Sequence, residues 1–211
     1  MLKKFLQNCK KPEGLFGRMV LKGMNCGHGP VADWAFGLVQ WKDGDPILDV
    51  GCGGGANIAK LLKKYPHSQV DGIDYSLQSV EISRKVNAAV LGKRCEIRKG
   101  DVMELPFAKQ SYHRVIAIET VYFWPNLTDG LREAFRVLDF SGEILIVCEM
   151  GDPEKGKKWS KHCDGMTVYT GRQLKSALEQ AGFSQVQIFQ KGVWTAALGK
   201  KPGEAENCND D

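Results

Sequence analysis

Ile47-Leu48-Asp49-Val50-Gly51-Cys52-Gly53-Gly54-Gly55-Ala56-Asn57 is the stretch on which the fold turns. Ile47, Leu48 and Val50 form a short apolar run, the pattern of a strand covered on both faces. Gly51, Gly53, Gly54 and Gly55 remove side chains where the backbone must bend sharply. The residues from Ala56 to Lys64 then read as a helix. Its first N–H groups have no intrahelical partner and are open to a ligand. The spacing Gly51-x-Gly53-x-x-Ala56 fits a nucleotide-binding fingerprint.

Three acids extend this reading. Asp49 lies on the strand itself. Gln69-Val70-Asp71-Gly72-Ile73-Asp74 is a second strand-like segment, and it ends in an acid placed to take both ribose hydroxyls. Cys95-Glu96-Ile97-Arg98 leads into Gly100-Asp101-Val102, another acid at a strand end. Ligands of open α/β sheets sit beyond the carboxyl ends of the strands, so all three acids are expected at one crevice.

These segments together resemble the ordered motifs of class I S-adenosylmethionine-dependent methyltransferases, most closely the compact small-molecule branch. The motifs are Asp-Val-Gly-Cys-Gly-Gly-Gly at 49–55, Gly-Ile-Asp-Tyr-Ser at 72–76 and Gly-Asp-Val-Met-Glu-Leu-Pro-Phe at 100–107. The resemblance spans roughly residues 45–200. It implies a three-layer, Rossmann-like α/β fold with helices on both faces. The seven-stranded sheet would be mostly parallel, with an antiparallel C-terminal hairpin strand. It also implies S-adenosylmethionine as cofactor and S-adenosylhomocysteine as product. Carried over by position, Gly51 and Gly53 would lie along the methionine part, with Cys52 counted in the same turn and Asp49 near the ammonium. Asp74 would hold the ribose hydroxyls and Tyr75 would lie against the adenine. Asp101 would accept from the adenine amino group, with Val102 in that pocket. Glu119 and Thr120 would hold the methionine end by backbone groups.

The chain's 211 residues suffice for one domain with a full core. The implied division is a helical N-terminal cap over the site (1–45), the methyltransferase domain (46–200) and a flexible polar tail (201–211). A net charge of +4, with lysines and arginines dispersed, argues against nucleic acid as partner. Seven cysteines stand singly, with no C-x-x-C pair, so neither a disulfide framework nor a metal site is expected; a reducing cytoplasm fits. No apolar run reaches the ~20 residues of a membrane span. The expected partner is a small-molecule acceptor, and the expected state a monomer or homodimer.

Along the chain, Val31, Trp34, Ala35, Leu38 and Val39 share one face of a helix expected within 28–41. Trp34, Phe36 and Trp41 read as core. Ser76 can cap a helix running to about Leu91, with Leu77, Val80, Ile82, Val86, Ala89 and Val90 facing the sheet. Strand four, Arg114 to Glu119, is followed by Tyr122-Phe123-Trp124. Tyr122 is taken as the aromatic most open to the pocket, a face suited to cations. The stretch 150–169 reads as irregular and charged. Thr170-x-x-Gln173 is a capping box opening the last helix. Two final strand-like runs around Lys191-Gly192 predict a hairpin. Phe140-Ser141-Gly142 and His113 stand where the related enzymes usually carry Pro-Gly-Gly and an aspartate.

Methyl transfer from a sulfonium is an in-line displacement that needs orientation more than acid–base work. His28, Tyr122 and His162 are the candidates for a proton acceptor. Two other readings stand beside this one. The same glycine spacing serves nicotinamide-dependent oxidoreductases, although Asp49, the Gly100-Asp101 pair and the terminal hairpin do not suit them. A catalytically silent cofactor-binding or scaffold protein is the other.

Overall fold

A computed structural model describes residues 29–161, 163 and 165–204. The first described element is helix α1 (Gly29–Phe36), shorter than the 28–41 expected. Gly37 ends it, its N–H shared between the carbonyls of Asp33 and Trp34. Next come β1 (Ile47–Val50), α2 (Ala56–Lys64), β2 (Val70–Asp74), α3 (Leu77–Val86) and β3 (Ile97–Lys99). The second half holds β4 (Tyr112–Ile118), a 3-10 turn (Val121–Phe123), α4 (Leu127–Val137) and β5 (Leu138–Cys148). The described chain finishes with α5 (Pro153–Ser160), α6 (Gly171–Gln180), β6 (Ser184–Lys191) and β7 (Trp194–Lys200).

The strands make one seven-stranded sheet in the order β3-β2-β1-β4-β5-β7-β6. β1 to β5 are mutually parallel, and β7 runs antiparallel to both β5 and β6. Lys191 pairs with Trp194 across a two-residue turn, where Gly192 takes a φ of 63°.

Side-chain alternation along the strands divides the core in two. Leu48, Val50, Val115, Ala117, Ile144 and Ile146 pack beneath α4 and α6. Ile47, Ile116, Ile118, Leu145 and Val147 pack on the other face with Val31, Ala35 and Phe36 of α1 and Ile58 and Leu61 of α2. This is the three-layer α/β architecture. Strand order reverses between β1 and β4, and such a switch point opens a crevice at the carboxyl ends of the strands.

Two expected elements differ. The stretch 150–169 contains α5: Pro153 starts it, and Asp152 Oδ1 accepts from the N–H groups of Glu154 (3.0 Å) and Lys155 (3.4 Å). Helix α3 stops at Val86, short of Leu91, and buries a polar face. Leu77 and Val86 are exposed, whereas Ser79, Ser83 and Asn87 are buried. The cause is the glycine turn beneath the helix, whose backbone needs close polar partners. A Cβ on Gly55 would stand 2.3 Å from Ser83 Oγ, and Asn87 Nδ2 donates to the Gly55 carbonyl (3.1 Å).

Candidate active site

The glycine turn is folded over the end of β2. The N–H groups of Gly51 and Cys52 both donate to the Ile73 carbonyl (2.8 and 3.0 Å). Gly51, Gly53 and Gly55 have φ values of 78°, 52° and 78°, which residues with a side chain rarely adopt. Gly51 also has no room for one. An added Cβ would lie 2.1 Å from Thr120 Oγ1, so the two strand ends of the switch point meet here. Gly53 is the opposite case, with no atom within 4 Å of where its Cβ would be.

Asp74 closes the turn. Its Oδ2 accepts from the Gly53 N–H and its Oδ1 from the Ser76 N–H, both at 2.8 Å. Burial raises its pKa against the pull of these two bonds and of a third from the Ser79 side chain. Asp49 is deeper, 1% exposed, and its Oδ2 has no hydrogen-bond partner among the described residues. Burial, and then the charge of Asp74, push its carboxyl up to about 8. Cys52 turns its side chain inward: Sγ lies 3.8 Å from Ser83 Oγ and packs against Gly72. Burial pushes this thiol well up as well.

Tyr75 follows Asp74 and is 59% exposed. Asp101 is two residues past Lys99, the strand partner of Asp74, and the Gly100 N–H donates to the Asp74 carbonyl (3.1 Å). Asp101 is exposed, and its Oδ1 accepts from the Met103 N–H (2.9 Å). Val102 is half-buried and reaches toward Gly130 of α4. The three acids therefore stand at the carboxyl ends of adjacent strands, one buried, one partly buried and one exposed.

Beyond β4, Glu119 has a left-handed φ of 59°. Its Oε1 accepts from the Glu149 N–H and from the Tyr122 hydroxyl (3.0 Å). That hydroxyl in turn accepts from the Met150 N–H (3.0 Å), and the Tyr122 carbonyl accepts from the Thr167 N–H (2.8 Å). Tyr122 is therefore not the aromatic that opens onto the crevice. It is 2% exposed, and burial drives its phenol pKa upward. Phe123 is the half-buried ring of the three, packed on the same core as Met150 and Met166. His28 and His162 lie outside the described residues. The described histidines, His67 and His113, sit before β2 and at the start of β4, away from the carboxyl ends.

Sequence reading missed the side chain of Thr120 against Gly51, and Ser83 with Asn87 beneath Gly55. The repeat Ser79, Ser83, Asn87 at intervals of four was the available signal for the second.

A family profile described as a methyltransferase domain matches residues 47–142. A demethylmenaquinone methyltransferase of Lactobacillus johnsonii is 30% identical over 190 residues, covering 77% of this chain and 78% of that protein. The chain belongs to the class I S-adenosylmethionine-dependent methyltransferases. An uncharacterized methyltransferase of Bacillus subtilis, YdaC, is 25% identical over 177 residues, covering 80% of this methyltransferase and 90% of that one. In fold, the methyltransferase in a complex with the Trm112 activator of Haloferax volcanii matches with a TM-score of 0.76 at 20% identity, over 88% of this chain and 94% of that one. Against several longer relatives the methyltransferase spans 28–37% of their length. Family membership removes the oxidoreductase reading. The residues present suit the family's cofactor on two counts: a buried carboxylate oxygen of Asp49 without a partner among the described residues, and an open flank at Gly53. Among the described residues no helix is long and apolar enough to cross a membrane, and no group of three or more metal-ligating side chains occurs.

Proposed function

We propose that this methyltransferase acts on a small, largely apolar acceptor, with S-adenosylhomocysteine as the second product. The single observation behind the site assignment is the glycine turn itself. It is open beside Gly53, tied down by Asp74 and backed by Asp49, whose Oδ2 has no partner among the described residues. In this reading Gly51, Cys52 and Gly53 line the methionine part by their backbone, and Asp49 takes its ammonium. Asp74 binds the ribose hydroxyls, through the carboxylate that also accepts from the Gly53 and Ser76 N–H groups and is bonded to the Ser79 hydroxyl. Tyr75, Asp101 and Val102 serve the adenine, and Glu119 and Thr120 the methionine end.

When bound, S-adenosylmethionine supplies a methyl group already activated by a positive sulfur. What the chain adds is orientation and exclusion of water, effects that together can be worth ~7–11 kcal/mol. Tyr122 contributes as a brace for Glu119 and Met150 rather than as a base, since its phenol is buried and held neutral. Phe123, Met150 and Met166 offer an apolar wall on the acceptor side. The relative named for demethylmenaquinone supports an apolar acceptor of that kind.

Calorimetry tests the assignment with S-adenosylhomocysteine as probe and NAD as control. The native protein binds the first and not the second, and Asp74→Ala weakens binding at least tenfold, about 1.4 kcal/mol. Unchanged affinity in the variant, or binding of NAD alone, rejects it. Methyl-labelled cofactor offered with quinones and phenols should yield label that partitions into an organic phase.

A further inference from the structure

Asp49 is a buried acid in the middle of the sheet with an oxygen that the described residues leave unserved. It sits on β1 between Gly72 of β2 and Ile116 of β4, neither of which offers a side-chain donor. It is 1% exposed, and its Oδ2 meets no donor among the described residues. A carboxylate cannot stay ionised there without a cation or several N–H groups, and it takes up a proton instead. The titratable groups around it worsen the case. From β2 the Asp74 carboxylate repels it, and the thiols nearby, Cys52 in the glycine turn and Cys95 before β3, bring no positive charge.

We infer that uptake of the cofactor expels a proton from Asp49, because the α-ammonium group of the ligand replaces it as the partner of the carboxylate. The inference rests on the cofactor reading above. The O–H bond of the acid breaks, its proton leaves to bulk water, and the ligand's ammonium keeps all its hydrogens. No electrons are exchanged. The free site is thus charge-economical, and it becomes an ion pair only when a cationic amino acid end arrives. Affinity for the amino-acid half of the ligand then depends on pH, whereas affinity for the adenosine half does not.

The resting pKa of about 8 sets the size of the effect. At pH 7 roughly nine-tenths of free Asp49 is protonated, so about 0.9 proton leaves per ligand bound, and affinity rises about ninefold between pH 6 and 7.

The experiment is calorimetric titration of the full chain at pH 7 in phosphate and in Tris, whose ionisation heats differ. The probes are S-adenosylhomocysteine and 5′-methylthioadenosine, which lacks the amino acid end. Expected is release of about 0.9 proton with the first and none with the second. Asp49→Asn should bind S-adenosylhomocysteine more weakly and release none. Binding of S-adenosylhomocysteine with no buffer dependence overturns the inference and leaves the cofactor reading standing. So does proton release that survives in Asp49→Asn, or that is equal for the two probes. No binding of either probe would instead overturn the cofactor reading, and this inference with it. If the variant does not fold, the comparison of probes on the native protein still decides.

Discussion

Alanine at Gly51 and alanine at Gly53 make a paired test of the glycine turn, because the two positions are strained alike but crowded differently. Both have positive φ, 78° and 52°, and an L side chain there costs about 1–2 kcal/mol. At Gly51 the new Cβ also lands 2.1 Å from Thr120 Oγ1 and 2.6 Å from its Cβ. Thr120 would have to move, and its Oγ1 accepts from Trp124 Nε1 (3.4 Å), so the shift reaches the core under α4. Overpacking of this kind adds about 1–3 kcal/mol. Gly51→Ala should therefore destabilise the fold by roughly 2–5 kcal/mol, and Gly53→Ala by only about 1–2. At about 2–4 °C per kcal/mol for a chain of this size, a melting curve separates them. Binding should rank the other way relative to stability. Gly53→Ala keeps the fold but places a methyl group on the open flank, so its affinity for S-adenosylhomocysteine should fall at least tenfold. Equal losses of melting temperature would refute the crowding argument. Full affinity in a folded Gly53→Ala would refute the claim that this flank meets the cofactor.

Asp49 and Tyr122 furnish two further tests of stability. The folded pKa of Asp49, about 8, lies above its ordinary value of 3.8, so the folded state holds a proton that the unfolded chain has lost. Its contribution is complete below about pH 4 and declines as pH rises toward 8, by about 1.4 kcal/mol per unit. Urea unfolding of the free protein at pH 5 to 8 should show this decline, and Asp49→Asn should lack it; parallel curves for the two proteins would contradict the buried-acid argument. Tyr122→Phe deletes a hydroxyl that donates to Glu119 and accepts from Met150, so Glu119 loses one of its bonds and the Met150 N–H loses this acceptor. A loss of about 1–3 kcal/mol is expected on chemical denaturation, and one below about 0.5 would mean that the brace carries no load.

Much of this molecule could be read before it was seen, for reasons that differ from element to element. The strand, turn and helix at 47–64 were legible because few sequences besides repeated glycine satisfy three positive φ values in one short turn. The capping box was legible because both its bonds are local: Gln173 N–H to Thr170 Oγ1 (3.2 Å) and Thr170 N–H to Gln173 Oε1 (2.9 Å). The orientation of Tyr122 was not, because it is fixed by partners far along the chain, at Met150 and Thr167. Nor was the inner face of α3. Ranking residues by hydrophobicity selects Leu77 and Val86, yet the helix lies over bare backbone that small polar side chains serve better. The departures at His113 and at 140–142 prove to be neighbours. His113 Nδ1 lies 3.0 Å from Asp139 Oδ1, and a Cβ on Gly142 would press on both residues at the amino end of β5.

Lys201 lies at that same pole. Its ammonium donates to the carbonyls of Phe135 (2.8 Å) and Leu138 (2.7 Å), and its N–H donates to the Gly142 carbonyl (2.8 Å). The chain is therefore riveted down toward the amino end of β5, at Leu138 and Gly142, the nearer of which is some six residues or about 20 Å along the strand from Cys148, where the crevice opens. An affinity handle, fluorophore or surface tether added after residue 204 thus sets out from the far side of the molecule, and an immobilised enzyme should keep its mouth turned toward solution.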